Sequence, residues 1–230
     1  LTLITVLISL FAPAVGNFEK DLVAKGLSQA QTKMKLTRTN AENSQATSFG
    51  VNKGVVILGD SVALRSKDQI ESSIDNVAID AVVSRNLSTI NDLLKDYADS
   101  NALAKDVVIA GGVNEIDDYK GVINKMIKNL PKGHHIIFVT PYNGSKSGSK
   151  AVSLVQLRKY ELEMAKKYDF VTVADWYQVA KENISIWNGT DGVHFGSDSD
   201  SINRGAKLYT NTIKEAIAKA NQKPVKGGKK

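Results

Sequence analysis

The stretch GVVILGDSV, residues 54–62, decides how the rest of the chain folds. Val55, Val56, Ile57 and Leu58 form an apolar run bounded by glycines, with no polar residue inside it. Such a run is a strand buried on both faces, the mark of a parallel sheet covered on each side by helices. Gly59 ends the strand, and ALRSKDQIESSI, residues 63–74, has the composition of a helix. Ser61 therefore stands at a strand-to-helix turn above the carboxyl edge of a sheet. Open α/β sheets bind ligands there, and the first amides of a helix steady negative charge. Taken alone, Asp60 and Ser61 also read as ordinary N-cap residues.

The same alternation runs down the chain. VAIDAVV, residues 77–83, reads as a second strand, followed by Ser84, Arg85 and Asn86. Leu87, Ile90, Leu93, Leu94 and Tyr97 then recur at helical spacing. DVVIA, residues 106–110, is a third strand ending at Gly111 and Gly112, and a helix over 118–130 is stopped by Pro131 and Gly133. HIIFVT, residues 135–140, is a fourth strand, and a helix covers 151–168. A fifth strand spans 170–174, followed by a helical stretch over 175–183, a long loop over 185–201 and a last helix over 203–220. This predicts a three-layer α/β/α domain around a roughly five-stranded parallel sheet.

The 230 residues are 42% hydrophobic and 23% charged, a globular composition with a formal net charge of +6. Much of the excess sits at the ends, in Lys20, Lys25, Lys33, Lys35 and Arg38, and in Lys223, Lys226, Lys229 and Lys230. These read either as solvated ends or as attraction to an anionic surface such as a membrane or cell-wall polymer. No basic stretch is interleaved with aromatics, so nucleic acid is not an expected partner. The absence of cysteine excludes disulfides, thiolate zinc sites and a Cys nucleophile. LTLITVLISLFAPAV, residues 1–15, is apolar but shorter than the about 20 residues that span a bilayer. With no initiating Met or basic start, it is expected to be the tail of a transmembrane helix, a truncated signal sequence or a buried helix being the alternatives. The expected organisation is thus 1–16 as the end of a transmembrane helix, 17–53 as a linker with a short helix around 20–35, 54–222 as the folded domain, and 223–230 as a frayed basic tail.

An alcohol nucleophile needs a base, a group that orients the base, and donors for an oxyanion. Only three histidines are available. His134 and His135 stand side by side at the mouth of a strand and are read as structural. His194 lies in DGVH, residues 191–194, ahead of the last helix. Asp191 can fold back onto its ring within one turn, fixing the tautomer and leaving the other nitrogen to face Ser61. Alone, Asp-x-x-His also reads as a capped turn.

GDSV at 59–62, GVN at 112–114 and DGVH at 191–194 resemble three of the four sequence blocks of SGNH hydrolases in order and spacing, over roughly residues 54–220. With DAVVSR at 80–85, and behind an apolar start and linker, they resemble more closely the extracellular domain of peptidoglycan O-acetyltransferases. In that family the domain hangs from a membrane acyltransferase. The resemblance implies a flavodoxin-like sheet with Ser61 as nucleophile, His194 as general acid/base and Asp191 as its orienting carboxylate. It implies an oxyanion hole made by the Ser61 amide, the Ser84 amide and the Asn114 side chain. Ser84 stands where the wider superfamily usually has Gly, so a side chain narrows the pocket at a position that favours positive φ. Likewise GGVNE stands where Gly-x-Asn-Asp is common.

The implied reaction passes acetyl through a Ser61 acyl-enzyme to the C6 hydroxyl of N-acetylmuramic acid in cell-wall glycan. Acetyl would be delivered by a membrane acyltransferase domain of the same longer chain. The domain would then work outside the cell membrane of a Gram-positive-type bacterium, in lysozyme resistance, without cofactor or metal. Water attacking the same intermediate gives a carbohydrate esterase or deacetylase. A non-enzymatic wall-binding module is the competing class. Around the site, Arg85 either anchors a glycan carboxylate or pairs with a neighbouring acid. Trp187 and Phe195 either stack on a sugar or serve as packing.

Overall fold

The structure, a computed structural model, describes residues 49–114, 118–145 and 148–228. The apolar start and most of the expected linker lie outside these residues. Among the described residues no helix is long and apolar enough to cross a membrane. The run after Gly54 forms β1 (Val55–Gly59), and every residue of it is buried. It pairs in parallel with β2 (Val77–Ala81) on one side and β3 (Asp106–Ala110) on the other, Val55 standing opposite both Val77 and Asp106. β4 (His135–Val139) and β5 (Val171–Ala174) complete a five-stranded parallel sheet in the order β2-β1-β3-β4-β5. The order reverses between β1 and β3, and the loops after these two strands carry Ser61 and Asn114. A crevice at that switch point is where such sheets hold ligands.

Alternation along the strands divides the interior. Val55, Ile57, Ile79, Val108, Ile137 and Ala174 face one core, while Val56, Leu58, Val107, Ile109, Phe138 and Val171 face the other. The first core is closed by α1 (Ser61–Arg65), α2 (Lys67–Ser73), α6 (Trp176–Glu182) and α7 (Ser199–Ala220). The second is closed by α3 (Leu87–Asp99), α4 (Tyr119–Asn129) and α5 (Gly148–Lys167). The domain is therefore the three-layer α/β/α sandwich that the alternation predicts.

Several boundaries differ from the sequence expectation. The helix after β1 is broken at Ser66, whose hydroxyl donates back to the Val62 carbonyl at 3.0 Å, so α1 is a single tight turn. The loop expected over 185–201 opens on a 3-10 turn at Ile184–Trp187. It also ends early, because Asp198 and Ser201 form a reciprocal capping box that starts α7 at Ser199.

The closing segment, expected to fray, is docked as far as Gly228. The Gly133 amide donates to the Lys226 carbonyl and the Lys226 amide to the His134 carbonyl, both at 2.9 Å. The Lys226 ammonium donates to the carbonyls of Ile127, Lys128 and Leu130 at 2.7, 2.8 and 2.6 Å. These are carbonyls that the end of α4 leaves without helical partners, and a cation there also meets the negative end of the helix dipole. His135 holds the segment a second time, with Nδ1 at 2.7 Å from Asp106 and Nε2 at 3.1 Å from the Lys223 carbonyl. Residues 49–53, counted with the linker, also pack on this edge: Asn52 is buried and its carbonyl accepts from the Lys105 amide at 2.9 Å.

Candidate active site

At the carboxyl edge the chain leaves β1 and enters α1 within one residue. That residue, Asp60, is pinned to β3 by its own amide, which donates to the Ala110 carbonyl at 2.9 Å. Its carboxyl caps α1 by accepting from the Val62 amide at 2.9 Å. Asp60 is buried, and burial pushes its pKa up to about 7 against the lowering pull of loop amides and Arg85. The folded protein thus holds this proton more tightly than the unfolded chain does. Stability should be greatest where Asp60 is protonated in both states and should fall as pH rises from about 4 to about 7. Asp60→Asn keeps the acceptor for Val62 without the charge. It is expected to flatten that fall by an amount on the order of 4 kcal/mol, measured as the difference between wild-type and variant urea midpoints at pH 4, 5.5 and 7.5.

Ser61 opens α1, and its hydroxyl lies 2.6 Å from His194 Nε2. His194 Nδ1 lies 2.7 Å from Asp191 Oδ2. The other carboxylate oxygen of Asp191 accepts from the amides of Val193 and His194 at 2.9 and 2.8 Å. One side chain thus shapes the turn and orients the ring. Partial burial acts against charge on Asp191, yet the bonds from His194 and Val193 outweigh it and hold its pKa below the ordinary carboxylate value. A carboxylate accepts only, so the ring proton belongs on Nδ1 and Nε2 is left as the acceptor facing the Ser61 hydroxyl. The turn requires Gly192, which has φ +80° and where a Cβ would come within 2.5 Å of the Ser145 nitrogen. Its carbonyl also accepts from the Gly144 amide at 2.9 Å, tying the His194 loop to the loop after β4. Ser61, Asp191 and His194, distant in sequence, form one connected chain of hydrogen bonds.

The three expected oxyanion donors are arranged around the strand ends. The Ser61 amide is the first of its helix and has no carbonyl four residues back to bond. Ser84 is exposed and adopts the left-handed conformation, φ +59°, that a glycine would favour. The Asn114 side chain donates to the Arg85 carbonyl at 3.1 Å, next to Ser84.

For Arg85 and Phe195, each read two ways from the sequence, the structure favours the structural role. Arg85 is turned inward: it donates to the Gly59 and Asp80 carbonyls at 3.1 and 2.7 Å and pairs with the Asp80 carboxylate at 2.9 Å, its side chain 9% exposed. Of its two readings, pairing with a neighbouring acid is the correct one. Its work is to hold residues 80–85 against the end of β1. Phe195 is fully buried, 0% exposed, against Trp176 and Tyr209. It is core, because α7 approaches so closely at Gly205 that a Cβ there would lie 2.2 Å from the Phe195 ring. Trp187 is half-buried, donates to the Ala180 carbonyl at 2.9 Å and packs at 5.0 Å against Tyr142, the two rings tilted by 38°. Tyr142 and Trp176, with Asp60, Val62 and Thr140, line a cavity of about 10 Å³ beside the start of α1. Sequence reasoning passed over Tyr142. It also passed over Arg65, whose signal was its place one helical turn after Ser61. Among the described residues no group of three or more His, Cys, Asp or Glu side chains could hold a metal ion.

No family model matches the chain. A search of solved structures finds similarity to the C-terminal catalytic domain of peptidoglycan O-acetyltransferase A (OatA) of Streptococcus pneumoniae, recorded with a methylsulfonyl adduct. The identity is 44% and the TM-score 0.74, over 76% of this chain and 98% of that one. A lipolytic G-D-S-L family protein of Veillonella parvula shares the fold at 14% identity and TM-score 0.58, over 72% of this chain and 98% of that one. Among curated proteins, YrhL of Bacillus subtilis (strain 168), assigned as a peptidoglycan O-acetyltransferase, is 28% identical over 165 residues. That match covers 72% of this chain, and the chain spans only 24% of the length of YrhL. Identity at this level over nearly the whole of the OatA domain, on the same five-stranded sheet, means that the chain belongs to the family of peptidoglycan O-acetyltransferase catalytic domains with the SGNH-hydrolase fold.

Proposed function

We propose that this domain transfers acetyl to cell-wall glycan through a Ser61 acyl-enzyme. The observation that carries the reading is the bonded chain from Ser61 through His194 to Asp191, with Nε2 of the imidazole as acceptor at 2.6 Å. In the first half-reaction the Ser61 oxygen attacks the acetyl carbonyl while its proton passes to His194 Nε2. The tetrahedral oxyanion is met by the Ser61 and Ser84 amides and the Asn114 side chain. Collapse expels the donor's oxygen, which takes the proton back from His194. In the second half, His194 removes the proton of an acceptor hydroxyl, that oxygen attacks the acetyl-serine, and Ser61 recovers its proton as it leaves. Asp191 stays ionised throughout and stabilises the transient imidazolium.

The similarity to the OatA domain supports peptidoglycan as acceptor, and the resemblance in the sequence blocks points to the C6 hydroxyl of N-acetylmuramic acid. On the same reading, acetyl is delivered by a membrane acyltransferase domain and the reaction takes place outside the cell. The half-buried Trp187, a few residues before the Asp191–His194 turn, then offers a face for a sugar ring.

The test is to incubate the protein with an activated acetyl ester, with and without muropeptide or chitin-type oligosaccharide. The glycan is followed by mass spectrometry and free acetate in parallel. Acetyl on the glycan in the wild type and not in Ser61→Ala supports transfer. Free acetate alone, at a rate indifferent to glycan, means that water is the acceptor and the domain is an esterase.

A further inference from the structure

α1 presents two side chains one turn apart on the same face, Ser61 and Arg65, and both reach the same loop. Ser61 meets His194 Nε2 at 2.6 Å, and Arg65 donates through Nε to the Phe195 carbonyl and through Nη2 to the Gly196 carbonyl, both at 2.7 Å. Residues 194, 195 and 196 are consecutive, so the side-chain contact and the clamp beneath it fall on adjoining residues. A guanidinium is a rigid planar fork, and two parallel bonds from it fix the direction of a peptide as well as its position. Arg65 is 8% exposed, with the Phe195 ring 5.9 Å below its Cζ. The far side of the loop is tied as well, the Gly196 amide donating to the Ile186 carbonyl at 2.8 Å.

We propose that Arg65 is a positioning residue for acyl transfer, clamping the Phe195 and Gly196 carbonyls to the helix that carries Ser61 and so setting the Ser61–His194 spacing. This rests on the reading of Ser61 as nucleophile and His194 as base. Asp191 continues to hold the ring tautomer when Arg65 is lost, so the defect lies in alignment rather than in protonation state. Misplacing a reacting group by about 1 Å costs on the order of a hundredfold in rate. Because Arg65 is buried against the Phe195 and Gly196 carbonyls, the loss belongs in kcat and leaves KM alone.

The test measures the rate constant for Ser61 acylation by p-nitrophenyl acetate, together with its half-saturation concentration, in the whole chain. Arg65→Met, which keeps the apolar stem, is expected to slow acylation about a hundredfold. Arg65→Lys, a point charge without the fork, is expected to recover about tenfold of that. Both variants should keep half-saturation within about threefold of wild type. A variant that melts cooperatively and still acylates within about threefold of wild type overturns the proposal. So does a loss carried by half-saturation, or failure of both variants to fold, which makes Arg65 a determinant of the fold alone. If wild-type Ser61 itself takes no acetyl while the protein is folded, it is the acyl-enzyme reading that fails, and the two failures are thereby told apart.

Discussion

Ser61→Ala is expected to lower turnover of activated acetyl esters by about a thousandfold or more, with thermal stability close to wild type. The expected size follows from where the side chain sits. Its oxygen is the atom that His194 Nε2 faces at 2.6 Å, and within the bonded chain it is the group that can form a covalent acyl bond. Removing it leaves the amides and Asn114 with nothing to stabilise but attack by water. The fold should hardly notice. Alanine is a good helix former, and the cap on α1 comes from Asp60, not from Ser61. The decisive comparison is intact-protein mass spectrometry after exposure to the ester. The wild type should gain one acetyl group and Ser61→Ala none; acetylation of the variant at another residue would place the nucleophile elsewhere.

Asp191→Asn should be nearly as damaging, by about a hundred- to ten-thousandfold, and for a different reason. The asparagine oxygen can still accept from the Val193 and His194 amides, so the turn survives. The atom opposite His194 Nδ1 then becomes an amide donor, which forces the ring proton onto Nε2. Nε2 can no longer take the Ser61 proton. The same logic in serine-protease triads costs about ten-thousandfold with geometry intact. The side chain of Asp191 is 57% exposed, so water competes for the ring and the lower part of the range is the more realistic floor. Rates and melting temperatures of Asp191→Asn and Asp191→Ala should be compared. Both should lose activity, but only the alanine variant should loosen the turn. Retention of more than a tenth of wild-type rate in Asp191→Asn would mean that the carboxylate does not set the tautomer.

The sheet and the connected trio were legible because each is written locally. Continuous apolar runs ending in glycine announce parallel strands, and Asp-x-x-His puts an acceptor within one turn of the ring it orients. What failed was contact between distant segments. Arg85 left two readings open, because its partner Asp80 sits near the end of β2 and the pairing depends on the pleat aiming that carboxylate back at residue 85. Phe195 sits beside His194 in sequence, yet its ring is claimed by α7, whose close approach at Gly205 no local pattern announces. The closing basic segment has the composition of a loose tail, and only the unpaired carbonyls ending α4, about a hundred positions earlier, give Lys226 something to hold.

That docking also decides how the domain answers tension. Residues 49–53 and 223–228 are both fastened at the amino edge of the sheet, through Asn52 to Lys105 and through Lys226 to Gly133 and His134. A pull on the chain at either point is met by those bonds before it can reach α7 or the loop that carries His194. Tension applied at either point is thus expected to load the amino rim first, away from Ser61 and His194 at the opposite rim.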